Sequence, residues 1–286
     1  MPDRLLTFAI RFYLGIFFLY LLFPLLYMML LAFNTSRIPT HRDFDPTLMW
    51  FGEAWRNQRM WDGIENSLWI AGLVLLIAIP LGLAGAVFLT RFKAPGKTFV
   101  YALLISPILA PGIVLGISAF IFWSQQLGFR AGWWTAALAQ SSFIAAYCML
   151  IFLARLQRFD PALEEAALDL GAKPRQVFFR ITVPYMRPAL FSAAAIAFLQ
   201  SFENFTTTYF SIGAESTFTI FIANSVRQGV TPAVNAVAFV IVMLTVAIAA
   251  AYEIARRRAE RRQTLARRAA MQAELQEELV GKPAPG

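Results

Sequence analysis

Glu203 is the one acidic side chain placed well inside an apolar run, within Gln200-Ser201-Phe202-Glu203-Asn204. An ionisable group there is costly unless it faces a cavity or a partner, so its default reading is functional. On a continuous helix Gln200, Glu203 and Thr207 share a face, with Asn204 beside them. A carboxylate on such a face suits a cationic solute moving along a pathway. The plainer alternatives are a carboxylate paired with another subunit, or one held protonated. Phe202, Phe205 and Tyr209 could stack on an ammonium group or simply pack. Other chemistry lacks its parts. His41 and Cys148 are each the single residue of their type. A zinc cluster, a Ser/His/Asp relay and an intrachain disulfide are therefore not expected. Gly96-Lys97-Thr98 ends like a nucleotide-binding loop, but Arg91 stands where that loop needs glycine, and no strand precedes it. The chain is read as a non-enzyme that needs no cofactor.

The elements that carry these residues are apolar helices. The 286 residues are 58% hydrophobic and 15% charged, with mean hydropathy +0.58. Soluble domains run to about 45–50% apolar and about 25% charged residues. About 20 apolar residues span a bilayer as a helix. Six stretches qualify: 5–33, 67–90, 98–123, 134–153, 188–210 and 233–254. The expected fold is all-α, a polytopic membrane protein with about six transmembrane helices. Lipid gives the backbone no hydrogen-bond partners, so helices must satisfy themselves. The first stretch is too long for a signal-peptide core and lacks a small-residue cleavage site. It is read as a retained span, kinked at Pro24. Pro107 and Pro111, with Gly112 and Gly116, interrupt the third span. Such breaks mark transport pathways or serve only as kinks. Pro80, Gly82 and Gly85 read as close helix packing.

The formal charge of +8 could belong to a nucleic-acid binder. Its placement decides otherwise. With the N-terminus inside, only Arg37, Arg42, Arg56, Arg59, Arg130 and Arg227 fall outside, and the other 19 basic residues are cytoplasmic. That asymmetry follows the positive-inside rule and puts both termini in the cytoplasm. A membrane domain over 1–254 then contains a long inner loop, 155–187, and is followed by a charged cytoplasmic tail, 255–286. Tryptophans of the outer loop, Trp50, Trp55 and Trp61, read as interface anchors.

The inner loop is the most patterned segment. Asp160-Pro161 opens a helix, Glu164 and Glu165 lie in its first turns, and Gly171 can cap its end. Leu163, Ala166, Ala167 and Leu170 give it an apolar face. Lys173-Pro174 starts a second short helix with Val177, Phe178 and Ile181 on its apolar face. Two short helices hinged at Gly171, with uncovered apolar stripes, suit either a partner's groove or the headgroup layer.

Glu165-Ala166-Ala167, then Gly171, Ile181 and Pro184, resembles the EAA motif of membrane subunits of binding-protein-dependent ABC importers, with Val183 where leucine is usual. Ser201-Phe202-Glu203-Asn204 and the stretch 229–236 look like the second permease of spermidine/putrescine systems. The resemblance implies a type I importer permease of the bacterial inner membrane. Glu164, Glu165, Ala166, Ala167, Gly171, Ile181 and Pro184 would form its joint with cytoplasmic ATPase subunits. Gln200, Glu203, Asn204, Thr207, Pro107 and Pro111 would line the pathway. It further implies a second permease subunit, heteromeric, and a periplasmic substrate-binding protein. The cargo would be a polyamine, with ferric iron, thiamine or a phosphonate as alternatives. Other classes consistent with the spans are a non-transporting membrane scaffold and an ion-driven secondary transporter.

Overall fold

The computed structural model describes residues 2–36, 44–92, 95–229 and 232–247, and beyond them 250–251, 253–254 and 257–258. His41, Lys93 and all of the charged tail 255–286 except Arg257 and Arg258 lie outside the described residues. The chain divides into two compact units, 1–56 with 230–286, and 57–229.

The first unit holds α1 (Pro2–Leu31), α2 (Met49–Trp55) and α12 (Pro232–Ala247). Helix α1 runs through Pro24 without interruption. From Leu6 to Leu22 its side chains are exposed, Phe8 and Tyr20 among them, and towards its end Leu25, Met28, Met29 and Leu31 are half-buried. Apolar residues on every face suit a helix surrounded by lipid. Past its end the chain doubles back. The Thr35 N–H donates to the Asp45 carbonyl at 2.9 Å, and the Thr47 N–H to the Phe33 carbonyl at 2.8 Å. Trp50 closes this hairpin, donating Nε1–H to the Asn34 carbonyl at 2.8 Å. It is 1% exposed. Trp50 is therefore a core residue of this unit and not an interface anchor, because its indole N–H has a partner inside the protein. Trp55 does stay exposed. Phe239 meets Phe33 and Phe51 edge-on, and those two are tilted on each other, with ring centroids 5.0–5.7 Å apart.

The second unit contains α3 (Gln58–Arg91), α4 (Lys97–Leu109), α5 (Gly112–Ala119), α6 (Trp133–Leu156), α7 (Ala162–Asp169), α8 (Pro174–Val177), α9 (Val183–Phe202), α10 (Thr206–Ser211) and α11 (Phe218–Arg227). Asn57 caps α3 by accepting the Met60 N–H at 3.2 Å. At 1.5 Å per residue the 34 residues of α3 reach about 51 Å. That exceeds a hydrocarbon core of about 30 Å. The expected second span, 67–90, thus gains extra turns at its first end.

Helices α3, α6 and α9 pack around one core. Small residues recur every fourth position on their buried faces: Val74, Ala78, Gly82 and Ala86 on α3, and Ala189, Ala193 and Ala197 on α9. Gly82 is where α3 and α6 come closest. A Cβ there would lie 2.7 Å from Cys148 Cβ and 2.8 Å from the Ala145 carbonyl. Gly85 faces Met149 in the same way. Cys148 is fully buried packing. Pro80 faces outward, away from this contact.

Two expected spans are not single helices. The third breaks at Ala110-Pro111, and its halves are bent by 100°. Ala110 is extended because the ring of Pro111 disfavours helix in the residue before it. A π-helical turn, Phe120–Gln126, follows α5. The fifth span starts earlier and ends sooner than 188–210. One helix runs from Pro174 through a π turn, Phe178–Thr182, to Phe202. Among the described residues four helices are long and apolar enough to cross a membrane, or five with the bent pair, and α12 is a shorter apolar helix in the sixth stretch.

Gly82→Leu is expected to force α3 and α6 apart and cost about 1–3 kcal/mol, the range for overpacking. Thermal unfolding in detergent would register it as a lowered midpoint, while Pro80→Ala should not weaken the α3–α6 contact.

Candidate functional site

The inner-loop hairpin is built by local signals. Asp160 Oδ1 accepts the Ala162 N–H at 3.0 Å and starts α7. Gly171 ends it at φ +85°, in the left-handed region. The Ala172 N–H then reaches the Ala167 carbonyl at 3.0 Å and the Gly171 N–H the Leu168 carbonyl at 2.9 Å. This is a Schellman cap, and glycine enters it without a Cβ penalty. Gln176 Oε1 accepts the Lys173 N–H at 2.8 Å and opens α8.

The two adjacent glutamates part company here. Glu165 is exposed. Glu164 turns inward, its side chain only 12% exposed, into an ion pair with Arg91 at the end of α3. It also accepts a hydrogen bond from the Thr182 hydroxyl. Arg91 lies over the Phe159 ring, 5.7 Å from its centroid. Glu164 was expected beside Glu165 on the docking surface, but its geometry is intramolecular. The apolar stripe also divides. Leu163 and Leu170 are exposed, Leu170 at 89%, and Ala166 is open too. Val177 is buried, and Phe178, Ile181 and Pro184 are half-buried. The second short helix is therefore not a free docking element but the first turn of the fifth span.

The second group of expected site residues meets a helix end. Helix α9 stops at Phe202, and Glu203 caps it with its side chain exposed. Thr207 therefore does not share a helix face with Gln200 and Glu203. It lies on α10, 1% exposed, against α5. A Cβ at Gly116 would come 2.6 Å from the Thr207 carbonyl, and one at Gly112 would come 3.1 Å from its hydroxyl. The glycines after Pro111 thus let the bend of one span rest on the break of another. Pro111 is exposed at that bend, Pro107 is half-buried, and Gln200 is half-buried on α9.

A buried network holds the break. Gln140 of α6 is 1% exposed. Its Oε1 accepts the Ser201 hydroxyl at 2.6 Å, and its Nε2 donates to Thr208 Oγ1 at 2.7 Å. Thr208 donates its hydroxyl to Asn204 Oδ1 at 3.1 Å and its N–H to the same oxygen at 3.2 Å. Thr219 Oγ1 donates to the Asn204 carbonyl at 3.2 Å. Asn204, expected on the pathway, is thus a half-buried cap for α10. Gln140 escaped the sequence reading. As the lone amide side chain of the stretch 134–153, it carried the same signal of an expensive polar group that singled out Glu203. The aromatics pack on protein: Phe202 lies near Phe218, Phe205 near Tyr209, and Arg227 over the Tyr209 ring.

A bent third span, a broken fifth and a short hairpin between long helices define a membrane permease. The chain belongs to the family described as binding-protein-dependent transport system inner membrane components, whose model matches residues 78–264. It is 34% identical to the putrescine transport system permease protein PotI of Escherichia coli K12, over 80% of this chain and 83% of that protein. It is 28% identical to the spermidine/putrescine permease PotC of the same strain, over 79% of this chain and 85% of PotC. The fold resembles a chain of a bacterial ABC transporter that imports alginate, with TM-score 0.68 and 16% identity, over 90% of this chain and 97% of that one.

Gln140→Leu removes two interhelical hydrogen bonds and strands the Ser201 hydroxyl, while Thr208 keeps only its bond to Asn204. Such bonds contribute about 0.6–1.7 kcal/mol each. A loss of about 1–3 kcal/mol is expected by denaturant unfolding in micelles, and Gln200→Leu should lose less than half of that.

Proposed function

We propose that this chain is the translocating subunit of an ATP-driven importer for a polyamine such as putrescine. It has no nucleotide-binding loop of its own, and hydrolysis falls to partner ATPase subunits. The α7 hairpin meets those subunits. Glu165, Ala166 and Ala167 present the docking surface, Gly171 sets its turn, and the exposed Leu163 and Leu170 enter a groove of the ATPase. The basic residues orient the chain with both termini and this hairpin in the cytoplasm. A second, sister permease completes the membrane unit, and a periplasmic binding protein delivers the cargo. Relatives named as permeases of putrescine and spermidine/putrescine transport systems support the cargo class.

The observation that carries the cargo reading is the exposed carboxylate of Glu203 at a helix break. No described residue hydrogen-bonds it, and Gln140 and Asn204 hold the backbone around it. A carboxylate so held attracts a diammonium solute and repels an anionic one. Pro107 and Pro111 contribute the bend against which this corner rests, and Thr207 supports it from behind. Alternating access would open the corner to one side and then the other by rigid-body motion of the helices.

Glu203→Gln is expected to lower putrescine uptake about tenfold in cells, with the subunits still co-purifying; undiminished uptake would remove Glu203 from the pathway. Glu165→Ala and Gly171→Val are expected to weaken retention of the ATPase on affinity-purified complex. Full retention and full uptake in both variants would show that the hairpin is not the joint.

A further inference from the structure

We infer that Glu164, gripped by Arg91 and Thr182, is the strut through which movement of the docking hairpin reaches the membrane helices. The inference rests on the reading of α7 as the docking element. It assigns Glu164 a role apart from docking. Three elements end on this one carboxylate. It belongs to the first turn of α7. Arg91 is the last residue of α3, whose buried face packs on α6. Thr182 is the last residue of the π turn that leads without a break into α9.

Apart from the short link at Gly171 and its contacts with α8, α7 holds α3 through this carboxylate. A hollow of about 290 Å³ opens on one side of the contact, between Val87, Leu168 and Phe178. Another of about 770 Å³, also lined by Arg91 and Glu164, lies between Lys97, Gln157 and Glu165. The outer residues Leu163, Leu168 and Leu170 remain exposed. A push on α7 then reaches α3 through the ion pair, and α9 through the Thr182 hydroxyl as well as through the short link at Gly171.

The geometry also supplies a hinge. Pro184 has no N–H to donate and crowds the carbonyl one turn back, which loosens the helix there. The π turn Phe178–Thr182 sits just ahead of it, and π turns inserted in helices gather at functional places. Thr182 is 1% exposed and faces Glu164 from this widened turn. The charge pair is shielded too, with Arg91 at 32% and Glu164 at 12% side-chain exposure. Water screens a surface pair far more, which makes most exposed pairs weak connections.

The test uses the complete transporter in liposomes: this chain with its sister permease, ATPase subunits and binding protein. The readout is putrescine imported per ATP hydrolysed. Glu164→Gln keeps the shape and removes the charge, and the ratio is expected to fall at least fivefold. The reciprocal exchange R91E with E164R should restore it to within twofold of the parent. Thr182→Val should lower it by a smaller factor. A ratio unchanged within twofold in Glu164→Gln, or an exchange that fails to restore it, would overturn the strut. So would a proportional fall of import and hydrolysis, which marks a purely structural contact. If neither Glu164→Gln nor Arg91→Lys assembles with the ATPase, the pair serves folding alone and the inference is wrong. The docking reading fails differently: Glu165→Ala and Gly171→Val would then keep both the ATPase and full uptake.

Discussion

A helix that breaks within an apolar bundle frees backbone and side-chain polar groups that lipid cannot satisfy. Gln140 answers that constraint. Its amide bonds to Ser201 before the break and Thr208 after it, so α6 holds both sides of the corner at once. Asn204 then caps α10, and Thr219 ties the corner to α11. With these bonds made, the chain turns sharply at 203–205 and leaves the Glu203 carboxylate outside the network.

Close packing makes the same corner reachable. Gly112 and Gly116 let α5 approach α10 more nearly than any side chain would permit, and Gly82 does the same for α3 and α6. Lipid tails are as apolar as leucine, so helix pairs in a membrane gain from contact area and hydrogen bonds more than from escaping water. Small residues serve that need. The stripe Ala189, Ala193, Ala197 on α9 continues into Ser201, where packing gives way to hydrogen bonding.

At the hairpin, two neighbouring glutamates serve opposite directions. A helix turns about 100° per residue, so Glu164 and Glu165 cannot face the same way. The inward one is matched to Arg91 and Thr182, and the outward one is left with the exposed leucines. An exposed carboxylate and leucines thus lie over a partly buried charge contact to the helices behind them.

Much of this was legible in the residues alone. The apolar stretches, the proline interruption of the third, the Asp160 start and the Gly171 end are short-range signals. Each depends on residues within a turn or two. The proline interruption, the Asp160 start and the Gly171 end appear where the pattern put them, while the fifth stretch is shifted and broken. The kind of protein followed from the same stretches and from the loop motif. Other features depend on residues far apart in the chain, and there the sequence could not decide. Gln140 and Thr208 are separated by 68 positions and Arg91 and Glu164 by 73. Nothing local says that these pairs meet. Helical spacing placed Thr207 on the face of Glu203, because periodicity assumes a helix that continues. Only the tertiary packing of α5 on α10, with the bonds from Gln140, decided that it stops. It also turned Glu164 inward and buried Trp50. A side chain's partner across the bundle is a matter of which helices come together, and that choice belongs to the whole chain.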